Sequence, residues 1–327
     1  MNHNGRINLA KELIDVAAEA GADAVKFQTF RAENVVTCHA EKAEYQKSST
    51  SANESQYEMI KNLELPDESF RDLSDYAKKR GIIFLSTPFD EESADLLDQI
   101  GVPAYKIPSG EITNYPLLKK IAKKRKPVIL STGMSTLGEV EEAFNYLKKN
   151  GARYIVLLHC TTSYPAPLHS ANLRAMKTLQ CAFCVPVGFS DHTEGITISI
   201  AAVAMGATVL EKHFTLDRTL PGPDHLASLE PGELKAMVQA IRDVECAQGD
   251  GIKKPNEVEI QIREIARKSI VAKRSIKKNE IITSDMLTVK RPGTGIKPNY
   301  LHFFIGKKIN CDLEKDNFVL FDMVNEE

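Results

Sequence analysis

The sequence predicts an α/β chain: a (β/α)8 barrel lacking its first strand, followed by a small β-rich module. Three observations carry that expectation. Seven short apolar runs, most of them closing on hydroxyl-bearing or charged residues, alternate with helical patterns along the first 250 residues. The chain opens with a loop and then at once a helix, so the strand needed to complete eight is expected upstream of Met1. Beyond Asp250 the helical periodicity gives way to short strands and turns. The expected division is therefore a barrel over residues 1–250, a linker over 251–268 and a module over 269–327. A doubly wound open sheet is the competing architecture, but no GxGxxG follows any of the strands.

From Asn8 an amphipathic helix is expected, with Leu9, Leu13, Val16, Ala17 and Ala20 on one face and Gly21 as its stop. DAVKFQ reads as a strand in which Val25 and Phe27 share one face, and Lys26 and Gln28 the other. A parallel strand is buried on both faces, so Lys26 needs an anionic partner or ligand. Residues 31–64 form a long polar connection around KSSTSANES, suited to a binding loop or to a surface insertion. PDESFRDLSDYAKKRG is a helix with Phe70, Leu73 and Ala77 inward, and it feeds the strand IIFLSTPF. The strands PAYKIPSGE, PVILSTGM, YIVLLHCTTSYP, VPVGFSDHT and TVLEKHFT follow, with helices between them. In the last βαβ unit ITISIAAVAMGA is the crossover, which sets the strand exits carrying His192 and His213 side by side. The module is read as the strands SIVAKRSIK, ITSDMLTVKRPGTG, IGKKIN and FVLFDMV.

With 42 Lys and Arg balanced by 44 Asp and Glu and a formal net charge of -2, the chain is a poor nucleic-acid binder. No apolar run approaches membrane-spanning length and no secretory signal is visible, so a cytoplasmic protein is expected. Six cysteines in 327 residues make no disulfide framework, and Cys181 and Cys184 lack a second ligand pair for a metal.

Strand ends of such a barrel meet at one mouth. There Lys26 and Lys106, with Thr87, Ser109, Ser131 and Ser190 and the amides of SGE and STGM, suit a phosphate or carboxylate. His192 and His213 suit a divalent metal that polarises a carbonyl, and Glu111 is placed for acid or base work on bound water. Gln28, Thr162 and Tyr164 stand at the same ends, and the stiff Pro-Gly-Pro turn brings Asp224 near them.

The motifs NHNG, VKFQT, STPFD, YKIPSGE, ILSTGM, LHCTTSYP, GFSDHT, EKHFT, LPGPD and KRPGTG occur in this order over essentially the whole chain. Together they resemble the sialic acid synthase family, whose members condense phosphoenolpyruvate with an N-acylated mannosamine-type sugar. The resemblance implies a (β/α)8 barrel followed by an antifreeze-like (SAF) domain, in a domain-swapped homodimer. It implies His192 and His213 as ligands of manganese, with magnesium or cobalt as alternatives. Phosphoenolpyruvate would be held by Lys26, Thr87, Lys106, Ser109, Ser131 and Ser190. Gln28, Tyr164 and Asp224 would line the sugar site, with Thr162 where some members face the sugar with asparagine. Arg291 would reach from one subunit into the other's active site. The sequence departs from the pattern in lacking the strand and glutamate that precede NHNG, and in reading LPGPD for RPGPD. N-acetylneuraminate synthesis from N-acetylmannosamine is the leading expectation. Legionaminate synthesis from a 2,4-diacetamido sugar, a Schiff-base aldolase using Lys26 or Lys106, and a non-catalytic sugar-binding barrel are the competing ones.

Overall fold

The structure, a computed structural model, describes residues 1–42, 46 and 54–325, and divides into the units Met1–Gly249 and Asp250–Glu327. No helix among the described residues is long and apolar enough to cross a membrane.

The first unit opens with α1 (Ile7–Glu19), stopped at Gly21, whose φ of +80° suits a residue without a Cβ. Its buried residues are Ala10, Leu13, Ile14 and Ala17. The expected face is thus rotated, and Leu9 and Val16 are only half-buried. The cause is a second neighbour, because Val16 and Ala20 pack with Leu234, Met237 and Ile241 in a separate apolar cluster. Next come β1 (Ala24–Thr29) and, in the long connection, α2 (Ala32–Val35) and α3 (Gln56–Leu63), the latter started by a Ser55–Glu58 capping box. Most of KSSTSANES lies outside the described residues.

The alternation then runs α4 (Asp67–Lys79), β2 (Ile83–Pro88), α5 (Glu91–Ile100), β3 (Tyr105–Ile107), α6 (Tyr115–Lys123), β4 (Val128–Ser131), α7 (Leu137–Lys149), β5 (Ile155–Cys160), α8 (Ala175–Phe183), β6 (Val187–Asp191), α9 (Thr197–Ala204), β7 (Leu210–Lys212) and α10 (Pro231–Gln248). Phe70, Leu73 and Ala77 of α4 are buried, as expected. The strands are parallel and neighbour one another in chain order, β1 pairing with β2 and β3 to β7 forming one sheet. β2 lies beside β3 without a ladder, next to a β3 only three residues long and a β2 that ends on Pro88. Among the described residues no eighth strand lies between β1 and β7, and residues of both line a cavity of ≈ 460 Å³ there. The core between strands and helices is apolar, with Tyr105, Ile107, Leu118, Leu130, Leu157 and Phe189 at or near zero exposure.

In the second unit α11 (Glu257–Ala266) buries no residue, whereas β8 (Ser269–Ala272) and β9 (Leu287–Lys290) pair antiparallel. A short helix α12 (Leu301–Phe304) joins a core of Ile270, Ile276, Ile282, Phe304, Ile309 and Val319. The further strands expected here shrink to isolated bridges, Ile276 to Leu313, Ile281 to Lys308 and Ile309 to Val324. Left-handed turns at Asn279 and Asp316 and a 3-10 turn at Ser284–Met286 interrupt them.

Candidate active site

Side chains alternate along a strand, so the strand exits sort themselves by face. On β1, Val25 and Phe27 are buried, while Lys26 and Gln28 face a cavity of ≈ 440 Å³ at the C-terminal ends of the strands. Thr87, Lys106, Ser109, Ser131, Thr162, Tyr164, Ser190, His192, His213 and Asp224 line the same cavity. The structure therefore brings together most of the residues singled out in the sequence.

It does not bring in Glu111. Glu111 follows Ser109 on a 3-10 turn, yet it is absent from the cavity wall and its carboxylate accepts a hydrogen bond from Asn114 Nδ2 at 2.6 Å. Arg291 is an exposed residue of the second unit, directly after β9. The STGM amides also differ from expectation. Thr132 N donates to the Leu158 carbonyl and Gly133 N to Ser109 Oγ, so neither is left for an anion. A Cβ on Gly133 would collide with Thr162 Oγ1, Ser109 Oγ and Cys160 Sγ, which is why the backbone can pass so close to the cavity wall there.

The anionic partner required by Lys26 is Glu211, which the sequence reading missed. Its carboxylate lies 3.7 Å from Lys26 Nζ and 3.5 Å from Lys106 Nζ, and it accepts from Ser190 Oγ at 2.8 Å. Burial works against its charge, but the ammoniums of Lys106 and Lys26 and the Ser190 hydroxyl outweigh this and hold it well below the usual carboxylate range. Burial pulls Lys106 down, against the pull of Glu211. The signal was available, since Glu211 stands two residues before His213 and so shares its face. Ser131 Oγ is buried without a hydrogen-bond partner, a position that a ligand acceptor or donor would satisfy.

The two imidazoles have ring centroids 5.5 Å apart, and the Tyr164 ring lies 4.2 Å from His192 and 5.7 Å from His213. His192 Nδ1 donates to the Thr161 carbonyl at 2.7 Å, which fixes the tautomer and leaves Nε2 with its lone pair. Burial lowers both imidazoles below their ordinary value, so both are neutral near pH 7. Among the described residues no group of three or more His, Cys, Asp or Glu side chains could enclose a metal. Two neutral imidazoles do fit a divalent ion that keeps positions open toward the cavity. All six cysteines are free.

Fold and site define a barrel of parallel strands that sets ammonium groups and hydroxyls beside two neutral imidazoles at the strand ends, where barrels of this class carry their active sites. The chain belongs to the NeuB family, the sialic acid synthase family: that family's profile matches residues 13–253, and a SAF domain matches residues 267–325. It is 54% identical over 321 residues to an N,N'-diacetyllegionaminic acid synthase of Campylobacter jejuni subsp. jejuni, covering 98% of this chain and 96% of that protein. It is 49% identical over 328 residues to the protein of the same name from Legionella pneumophila subsp. pneumophila, covering 99% and 92%. The crystal structure of an N-acetylneuraminic acid synthetase from Leptospira borgpetersenii serovar Hardjo-bovis, in complex with citrate, is similar at a TM-score of 0.69 and 37% identity, over 80% of this chain and 88% of that one.

Proposed function

We propose that this chain is a synthase that condenses phosphoenolpyruvate with an N-acylated mannosamine-type sugar and water, giving a nine-carbon 2-keto acid and phosphate. The observation that carries this reading is the buried, unpartnered Ser131 hydroxyl in the cavity wall that also bears Lys26 and Lys106. Two ammoniums share one carboxylate, so the cluster of Lys26, Lys106 and Glu211 keeps one positive charge in excess for a phosphate ester. In the reaction C3 of phosphoenolpyruvate bonds to the aldehyde carbon, water adds at C2, and C–O cleavage expels phosphate.

Lys26, Lys106, Thr87, Ser109, Ser131 and Ser190 hold the phosphate and carboxylate, and Glu211 restrains both ammoniums. His192 and His213 hold a divalent ion, manganese first, with magnesium or cobalt as substitutes. Such an ion supplies Lewis acidity toward the sugar's carbonyl oxygen. Gln28, Thr162, Tyr164 and Asp224 line the sugar subsite. Burial holds the Asp224 carboxyl above its ordinary range, which suits hydrogen bonding to a sugar hydroxyl. Glu111 rides on the turn that carries Ser109 and is the proposed partner of the water, once its carboxylate leaves Asn114.

The legionaminic names of the relatives at 54% and 49% identity favour 2,4-diacetamido-2,4,6-trideoxymannose as acceptor, ahead of the N-acetylmannosamine expected from the sequence. N-acetylmannosamine is the second reading, favoured by the likeness to the Leptospira synthetase. The enzyme acts in the cytoplasm as a domain-swapped homodimer in which Arg291 of one subunit completes the other's site. The exposed Val258, Ile260, Ile262 and Ile265 on α11 support a partner there.

Phosphate release from phosphoenolpyruvate, measured with each sugar before and after EDTA, tests the proposal. Release that needs both metal and the diacetamido sugar is expected. Metal-independent turnover with a borohydride-trapped adduct on Lys26 or Lys106 would point instead to a Schiff-base aldolase. His213→Ala is expected to abolish release while leaving the circular dichroism melt in place, and full activity in that variant contradicts the metal assignment.

A further inference from the structure

The parallel register of β6 and β7 pairs Ser190 with Glu211 and Asp191 with Lys212, and His192 and His213 stand one residue past the two strands. The first rung faces the cavity, where Ser190 Oγ donates to Glu211. His192 and His213 also face the cavity, with the two imidazoles side by side. The Asp191–Lys212 rung between them faces the opposite way. There the Lys212 ammonium meets Asp191 Oδ2 at 3.0 Å, with side chains 2% and 0% exposed.

Nothing in the chemistry described above uses this ion pair, yet its bonds are fully committed. Asp191 Oδ1 accepts from Thr193 N at 2.8 Å and Thr193 Oγ1 at 2.7 Å, and Oδ2 accepts from Ser199 Oγ at 2.5 Å as well as from Lys212. Lys212 Nζ also donates to the Thr193 carbonyl. Thr193 is thus gripped at its amide, its hydroxyl and its carbonyl, and the residues on both sides of His192 are fixed. Burying two charges is costly, and an apolar pair of similar volume would hold two strands together at least as well. What an apolar pair lacks is direction. A one-residue slip of β7 against β6 would turn His213 out of the cavity, and a charged rung with assigned partners forbids it.

We propose that Asp191 and Lys212 are positioning residues, which set the spacing of His192 and His213 from behind the strands so that both imidazoles reach one divalent ion. The proposal rests on the metal-binding reading of those two histidines. Partners outside the immediate ligand set typically change metal affinity by 10- to 100-fold.

The test is titration of the full-length protein with Mn2+ by calorimetry, for wild type, the double variant D191N/K212M and the milder Ser199→Ala, with phosphoenolpyruvate binding measured in EDTA alongside. The expected result is Mn2+ affinity weakened by about tenfold or more in the double variant and by less in Ser199→Ala, with metal-free phosphoenolpyruvate binding retained. Wild-type Mn2+ affinity in both variants overturns the positioning role while leaving the metal reading intact. No Mn2+ uptake by the wild type overturns the metal reading and the role with it. If the double variant fails to fold, Ser199→Ala decides alone, and a parallel loss of both ligands there marks a merely structural contact.

Discussion

At the scale of single residues the site turns on Glu211. It is the shared counter-charge of Lys26 and Lys106, and Lys106 is only 4% exposed at its side chain. Removing one partner of a buried charged cluster leaves the others uncompensated, at a cost of about 3 kcal/mol or more. Glu211→Gln is therefore expected to lower unfolding stability by about 3 kcal/mol in urea titrations, and an unchanged midpoint contradicts the shared role. The residues of the cavity wall were largely legible in the sequence because each strand closes on polar groups and alternation assigns their face. Glu211 was hidden for a specific reason: the run TVLEKH closes on His213, and a polar strand end does not by itself single out the residue two places earlier on the same face. Gly133 carries a comparable lesson, since only its surroundings show that a side chain there would strike Ser109 and Thr162. The positions of Glu111, turned toward Asn114, and of the Thr132 and Gly133 amides were not legible, because local hydrogen bonding decided them.

At the scale of elements the seven parallel strands are where the sequence placed them, because continuous apolar runs with polar exits have few other readings. Helix α1 was harder. Its apolar residues cover more than one face, and spacing alone does not say which face meets the strands and which meets α10. Ile14→Ala is expected to cost 2–5 kcal/mol, the range for a fully buried Ile, and Leu9→Ala distinctly less. Equal losses in thermal or chemical unfolding contradict the packing described here. The second unit was the least legible part. Its turns cut the expected strands into single bridges, and backbone left-handedness at Asn279 and Asp316 is not written in hydrophobic alternation.

At the scale of the whole molecule, protons and subunits provide separate tests. Burial, with the nearby terminal amine adding to it, holds His3 down to about 2, and His3 Nδ1 accepts from Gly5 N at 3.1 Å. An unfolded histidine titrates near about 6.5, so below that pH the unfolded chain takes up a proton that the folded one refuses. Stability must then fall with pH, by about 1.4 kcal/mol per unit from His3 alone between roughly pH 6 and pH 3. Burial lowers His159 and His225 too, and they act in the same sense. A urea midpoint that stays flat from pH 7 to pH 5 contradicts this. If Arg291 completes the partner's site, mixing Arg291→Ala with His213→Ala subunits should rebuild one working site per mixed dimer. Recovery of about a quarter of wild-type activity is then expected from random pairing, and none at all if the arginine serves its own subunit. His192 and His213 are proposed to grip a cation beside the lysines that hold phosphoenolpyruvate. Anomalous diffraction from crystals soaked in Mn2+ and phosphoenolpyruvate tests it most directly. One strong peak is expected within bonding distance of both imidazoles, with the phosphate ester against Lys26, Lys106 and Ser131. A peak elsewhere, or an ester bound away from those side chains, contradicts it.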